Sequence, residues 1–294
     1  MRVRPLFLAM AFLWLVGCGA PPFPAPPSPT ASPTVRPTVA SPLPPSPTPS
    51  PTVEPMGDGE ALVIGYSVEG RPLIVVRFGT GPRHRMIVAG IHGGYEWNTV
   101  ELAGRMIEAL HADEIVVPPD VSLFVLPEMN PDGMLRGKGI QGRANANGVD
   151  LNRNFPWNWA PDWNRAGCWN HAPITAGSAP FSEPETRALR DFLARPDVHV
   201  EALVSYHSAA LGIFPAGWPQ APEPRSVALA QALARATGYR YPPNDGGCEL
   251  TGQMVDWLAW ELGIPAVDIE LSTHMDIDWE RNLRALSVFL SREW

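Results

Sequence analysis

The sequence has no cluster of basic residues and carries a formal net charge of -8. Without a positive patch to neutralise phosphates, nucleic acid is excluded as a partner. Cysteine is scarce, at three in 294 residues. That excludes a small scaffold built on disulfides, and it argues against a structural zinc site made of several thiolates. No apolar stretch reaches the roughly 20 residues that a membrane-spanning helix needs. No internal repeat is evident, so the chain is not a solenoid or an array.

What is present begins with a leader. Arg2 and Arg4 supply a positive start, and Leu6 to Val16 is an apolar run of about 11 residues, the length of a signal-peptide core. The run ends in Leu15-Val16-Gly17-Cys18, which resembles a bacterial lipoprotein signal; the other reading is an ordinary signal peptide with an incidental cysteine. The resemblance implies cleavage before Cys18 and a diacylglycerol on its thiol. Residues 1–17 are then a signal peptide, and 18–57 are the lipidated cysteine with a tether rich in Pro, Ser and Thr. Residues 58–294 are the folded domain. The stretch 19–55 holds 15 of the 35 prolines and too little apolar surface to repay the entropy of ordering. In polyproline II form its reach is on the order of 110 Å. The expected location is the outer face of a bacterial cell membrane, held by lipid, and the expected state is a monomer. Cys168 and Cys248 are left over; in an exported protein they are expected to pair, the alternative being two free thiols.

The folded part alternates apolar β-rich runs with helical runs. Strands are expected over Leu62–Val68, Leu73–Phe78, Met86–Ile91, Val121–Leu126, Val200–Tyr206 and Pro265–Leu271. Several are nearly continuous Val, Ile and Leu, as in strands covered on both faces. Helices are expected over Asn98–His111, Glu183–Ala194, Arg225–Thr237, Gly252–Leu262 and Trp279–Arg292. Ser182-Glu183-Pro184-Glu185 reads as a capping box with proline in the first turn. Interleaved strands and helices predict an α/β fold, a three-layer α/β/α domain with a mixed, mostly parallel central sheet. Its ligand site belongs at the carboxyl ends of the strands.

Chemistry-bearing residues gather at those ends. His92-Gly93-Gly94-Tyr95-Glu96 follows a strand, and the glycines favour a sharp turn over a helix; alone, such a motif is more often a tight turn than a metal site. His207 ends another strand. Two histidines and one carboxylate with a fourth position for water make a catalytic zinc set. Asp268-Ile269-Glu270-Leu271 ends the last strand, where a carboxylate suits a general base. The loop 143–156 offers Arg143, Asn152 and Arg153, whose planar forks and amide suit a carboxylate.

Asn130-Pro131-Asp132-Gly133, then Gly148-Val149-Asp150-Leu151-Asn152-Arg153-Asn154-Phe155-Pro156, and Pro180-Phe181-Ser182-Glu183-Pro184-Glu185-Thr186 together resemble the zinc metallocarboxypeptidases of the carboxypeptidase A-like family, over roughly residues 60–294. The resemblance implies one Zn2+ per chain, held by His92, Glu96 and His207, and a peptide substrate, with cell-wall peptides among the candidates. It implies Glu270 as catalytic base, and Arg143 as the group that polarises the scissile carbonyl. Asn152, Arg153 and Arg143 would bind the terminal carboxylate, Asp150 would orient the first zinc histidine, and Val255 would line the side-chain pocket. An apolar residue at Val255 suggests apolar or aromatic terminal residues and argues against Lys or Arg, which would need a buried carboxylate partner. Two departures stand out. The family spaces its first ligands as His-x-x-Glu, and here one more residue intervenes. Cys248 occupies the position of a substrate-closing tyrosine; Tyr239 or Tyr241 would reach only if the loop folded inward. A zinc amidase or deacylase shares the same ligand set, and a tethered binding protein on a dead peptidase fold is the remaining alternative.

Overall fold

A computed structural model of the chain describes residues 56–161, 174–244, 247 and 249–294. The leader, Cys18, nearly all of the tether, and the expected Cys168–Cys248 pair lie outside the described residues.

Seven strands form one sheet: β1 (Ala61–Tyr66), β2 (Pro72–Phe78), β3 (Arg83–Val88), β4 (Val121–Leu126), β5 (Val200–Ser208), β6 (Gly212–Pro215) and β7 (Ala266–Leu271). Their order is β1-β2-β4-β3-β5-β7-β6. The four central strands β4, β3, β5 and β7 run parallel, and β1, β2 and β6 complete the edges through antiparallel pairings. The helices are α1 (Trp97–His111), α2 (Pro131–Leu135), α3 (Pro184–Leu193), α4 (Pro224–Thr237), α5 (Met254–Trp260) and α6 (Trp279–Ser291).

Alternation along the strands divides the core in two. Val121, Leu123 and Val125 of β4 pack with Leu102 and Met106 of α1, Leu229 of α4 and Phe289 of α6. Phe124 and Leu126 of the same strand join Leu189 and Phe192 of α3 and Trp257 of α5 on the other face. This is the expected three-layer arrangement.

Several expected bounds shift by a few residues, among them the helix expected over Gly252–Leu262, which is Met254–Trp260. β3 starts at Arg83 rather than Met86, because the Arg85 guanidinium is buried against Glu201 at 2.6 Å and so fits a strand position that its charge disguises. It ends at Val88 rather than Ile91, since Gly90 takes a φ of +65° and turns the chain. The capping box does not form: Glu183 is the N-cap residue with no side-chain cap bond, and Ser182 Oγ donates instead to Glu183 Oε1 at 2.7 Å.

The family motifs build the frame of the cleft. Asn130 caps α2 by accepting from Gly133 N at 2.9 Å, and its Nδ2 donates to Arg143 O at 3.1 Å. Glu183 Oε2 accepts from Asn145 Nδ2 and Asn147 Nδ2, each at 2.8 Å. Glu185 Oε2 accepts from Asn145 Nδ2 at 3.1 Å. These bonds satisfy the buried polar groups of an irregular segment that has no ladder of its own.

Candidate metal centre and substrate cleft

After β3 the chain makes a single 3-10 turn over Gly93–Glu96, with His92 at its N-cap. Gly93 has a φ of +44°, and a Cβ there would lie 2.7 Å from Met134 N and 2.8 Å from Gly142 O. Only glycine permits both the dihedral and that approach. The turn brings His92 Nδ1 to 2.8 Å from Glu96 Oε1, so the extra residue in the spacing does not separate the pair.

His207 reaches the same point from β5. Its Nδ1 lies 3.0 Å from Glu96 Oε2 and 3.3 Å from His92 Nδ1. All three side chains are buried, and their ligating atoms lie within 4.8 Å of one another. Three donors about 2.0–2.1 Å from a tetrahedral zinc stand about 3.3 Å apart. The donor set and its spacing therefore fit that ion.

Surrounding groups fix the two rings. His92 Nε2 meets Asp150 Oδ1 at 3.1 Å. Asp150 also accepts from Arg143 Nε at 2.9 Å and from Asn152 N at 3.0 Å. Burial alone would raise the Asp150 carboxyl, but Arg143 and then His92 outweigh it and hold it well below the ordinary range. Burial likewise opposes ionisation of Glu96, and His92 and His207 overcome it and lower its pKa. His207 Nε2 lies 3.1 Å from Ser205 Oγ and 3.3 Å from Asp268 Oδ1. Burial would lower His207, but Asp268 and Glu96 raise it well above its ordinary value. The centre is thus built to hold positive charge.

Glu270 pairs in register with His207 across β5 and β7. It is pushed up to about 7, chiefly by burial and then by the charge of Glu96. A carboxyl poised near neutrality can both take and give a proton. One open cavity of about 460 Å³ is lined by His92, Glu96, His207 and Glu270, and also by Arg143, Asn152, Arg153 and Val255. Arg143 and Arg153 are buried, and Arg153 donates from one guanidinium nitrogen to Asn152 O at 2.6 Å. Asp150 stands behind His92. Every site residue expected from the sequence among the described residues thus converges on one place.

Tyr239 and Tyr241 stay outside. The Tyr239 hydroxyl donates to Asp278 Oδ2 at 3.0 Å, and the Tyr241 ring lies tilted at 51° to Trp218 with centroids 6.3 Å apart. The tyrosine lining the cavity is Tyr95, the residue just before Glu96, which packs against His274 at 4.7 Å between ring centroids. Sequence reasoning noted Asp268 at the end of the last strand but gave it no role of its own, although period-two alternation puts it on the same strand face as Glu270.

A doubly covered mixed sheet, with two histidines and a carboxylate meeting at its strand ends beside a glutamate, defines a metallohydrolase. The family model described as zinc carboxypeptidase matches residues 60–284, and the chain belongs to that family. It is a zinc enzyme, a hydrolase acting on peptide bonds. It is 32% identical over 214 residues to murein peptide amidase A of Escherichia coli (strain K12), covering 70% of this chain and 78% of that protein. It is 26% identical to human mast cell carboxypeptidase A over 233 residues, covering 68% of this chain and 54% of that protein. Among solved structures, murein-tripeptide amidase MpaA from Escherichia coli O157 superposes with a TM-score of 0.57 at 29% identity, over 80% of this chain and 92% of that one. Bovine thrombin-activatable fibrinolysis inhibitor, at 23% identity over 79% of this chain and 89% of that one, shares the fold with a TM-score of 0.64.

Proposed function

We propose that the chain is a carboxypeptidase that hydrolyses the C-terminal peptide bond of peptides, with His92, Glu96 and His207 as zinc ligands and Glu270 as general base. The observation that carries this reading is one cavity holding the ligand set, the base and two buried arginines together. A zinc ion held by His92, Glu96 and His207 would supply a Lewis acid that makes water a better nucleophile near neutral pH. Glu270 takes a proton from the attacking water and returns it to the leaving amine. Arg143 donates toward the oxygen that gains charge as the carbonyl is attacked. Arg153 and Asn152 grip the terminal carboxylate, so the reactive position accepts only the last bond of a chain.

Identity to a murein peptide amidase over most of that protein's length favours one second reading, an amidase working on cell-wall peptides with the same groups in the same roles. We propose further that lipid on Cys18 holds the enzyme at the outer membrane face, where such peptides occur.

The test is metal content together with a product profile on mixed peptides, murein peptides and N-acyl amino acids. One zinc per chain and release of single terminal residues support the carboxypeptidase. Cleavage confined to murein peptides supports the amidase. Glu270→Gln should keep zinc and lose about 10²- to 10⁴-fold in kcat; full activity in that variant rejects both readings. Cys18→Ser should release the protein from the membrane fraction, and unchanged partitioning would reject the anchor.

A further inference from the structure

We propose that His274 binds substrate on the acyl side of the scissile bond, where its Nε2 accepts from the N–H of the residue that supplies the scissile carbonyl. The proposal rests on the peptidase reading above and deepens it by assigning a partner to the chain before the cleaved bond.

A run of hydrogen bonds assigns the tautomer of this ring. Asn98, buried near the start of α1, donates from Nδ2 to two carbonyls, Thr273 O and Asp276 O, each at 2.8 Å. Two carbonyl partners fix the amide, so its Oδ1 is left as an acceptor. Ser208 Oγ, at the end of β5, donates to that Oδ1 at 3.0 Å. The one hydroxyl proton is thereby used. Ser208 Oγ also meets His274 Nδ1 at 3.1 Å, and in that contact the ring must donate. Were the hydroxyl proton turned to the ring instead, lone pairs of Ser208 and Asn98 would face each other across a buried 3.0 Å gap. With its hydrogen on Nδ1, the neutral imidazole carries a lone pair on Nε2. No described residue donates to that nitrogen, and the side chain lines the cavity.

The place of the ring in the cleft names its ligand. Val255 and Trp257 of α5 pack on one face of the sheet, and α1 and α6 pack on the other. The carboxylate grip belongs to the α5 side, because Asn152 Oδ1 accepts from Met254 N at the start of that helix at 2.9 Å. His274 belongs to the opposite side, between β7 and α6, with its segment tied to α1 through Asn98. The metal ligands stand between the two, at the strand ends. A peptide whose last residue lies against α5 therefore crosses the centre and leaves along His274. Tyr95 joins these parts: its ring centroid lies 5.7 Å from the Arg143 guanidinium carbon and 4.7 Å from the centroid of His274. The arginine that receives the scissile carbonyl and the imidazole thus flank one side chain. The backbone donor nearest that carbonyl on the acyl side is the N–H of the same residue, and an acceptor here holds that residue in place.

The experiment pairs two substrates with two enzymes. Acetyl-Ala-Ala peptides ending in Leu, Phe or Lys are compared with esters in which lactic acid replaces the middle residue, so that the N–H in question becomes an oxygen. Each is assayed on the zinc-loaded full chain and on His274→Phe, which keeps a ring against Tyr95 and removes the acceptor. In the natural chain each cleaved peptide should lead its ester by about 5- to 30-fold in kcat/KM. In His274→Phe that lead should shrink to about twofold or less, with the rate on the ester little changed. An equal loss on both substrates, with the lead intact, overturns the proposal, because His274 then only supports the fold. Nitrogen NMR of the zinc-loaded natural chain, with the ring assigned through its contact with Tyr95, should show hydrogen on Nδ1 and none on Nε2. Hydrogen on Nε2 overturns the proposal whether or not the variant folds. A natural chain that cleaves peptide and ester at one rate overturns this proposal alone. One that cleaves none of the pairs removes the peptidase reading, and this proposal with it.

Discussion

Asp150 offers the sharpest test of how the centre is held together. Its carboxylate is fully buried and accepts from His92 Nε2 at 3.1 Å, Arg143 Nε at 2.9 Å and Asn152 N at 3.0 Å, with an Arg143 terminal nitrogen at 2.8 Å. In Asp150→Asn the shape is kept, but one oxygen becomes an NH2 group that faces a donor instead of accepting from it. If the amide oxygen keeps His92, Arg143 loses two charge-assisted bonds from its carboxylate partner, with Glu96 3.6 Å away. Breaking one side of a buried pair costs about 3–5 kcal/mol. If the amide turns the other way, His92 loses the group that fixes its ring, and partners of this kind are worth about 10- to 100-fold in metal affinity. The variant should therefore lose about 3–5 kcal/mol in denaturant unfolding of the metal-free protein, or at least tenfold in zinc affinity by chelator competition, or some of each. Zinc affinity within twofold of the natural chain, with stability within about 0.5 kcal/mol, would refute the claim that Asp150 couples Arg143 to His92.

Three further outcomes follow from the geometry. Asp256, pushed from 3.8 up to about 6 by burial against the donors Gly217 N and Gln253 Nε2, binds its proton more tightly folded than unfolded. Its contribution to stability is full below the unfolded value of 3.8 and is lost as pH rises through about 6, a span worth about 3 kcal/mol. Asp256→Asn should flatten that fall in the pH profile of urea unfolding, and an unchanged profile would show the carboxyl to be ordinary. Gly93→Ala should destabilise by about 1–3 kcal/mol from backbone strain alone, with zinc affinity falling too, because Met134 N and Gly142 O block the methyl group. Gly70→Ala, at a φ of +81° with nothing within 4 Å, is the control and should leave zinc binding untouched. Chelation should abolish hydrolysis and lower the unfolding midpoint, and zinc at 100 times its Kd should restore about 2.7 kcal/mol; a midpoint indifferent to chelation would detach the metal from the fold.

Much of this was legible in the chain because the buried strands are written in it. β4 is six apolar or small residues buried on both faces, and such runs read as parallel strands whatever surrounds them. β6 was not legible: four residues that begin with glycine and end with proline look like loop, and only pairing with β7 makes them strand. The failed capping box at Ser182 has the same cause. Its hydroxyl donates to the adjacent Glu183 and accepts from Asn154 Nδ2, 28 positions away, so a neighbour and one tertiary partner displace the local motif. The site residues were readable as types and as a family pattern. The pairing of Asp268 with His207 was not, since it joins two strands that lie far apart in the sequence.

The lengthened His92–Glu96 interval shows why ligand spacing is a weaker constraint than ligand placement. Zinc requires three donor atoms about 3.3 Å apart; it places no demand on the number of residues between them. An added residue must be absorbed, and here the left-handed Gly93 followed by one 3-10 turn absorbs it, returning Glu96 Oε1 to 2.8 Å from His92 Nδ1. That solution needs the turn to lie against the backbone of residues 133, 134 and 142 without side chains between them. The constraint has therefore moved from the interval to the glycines, and a change at Gly93 should disturb the metal more than a conservative change at Tyr95 inside the same interval.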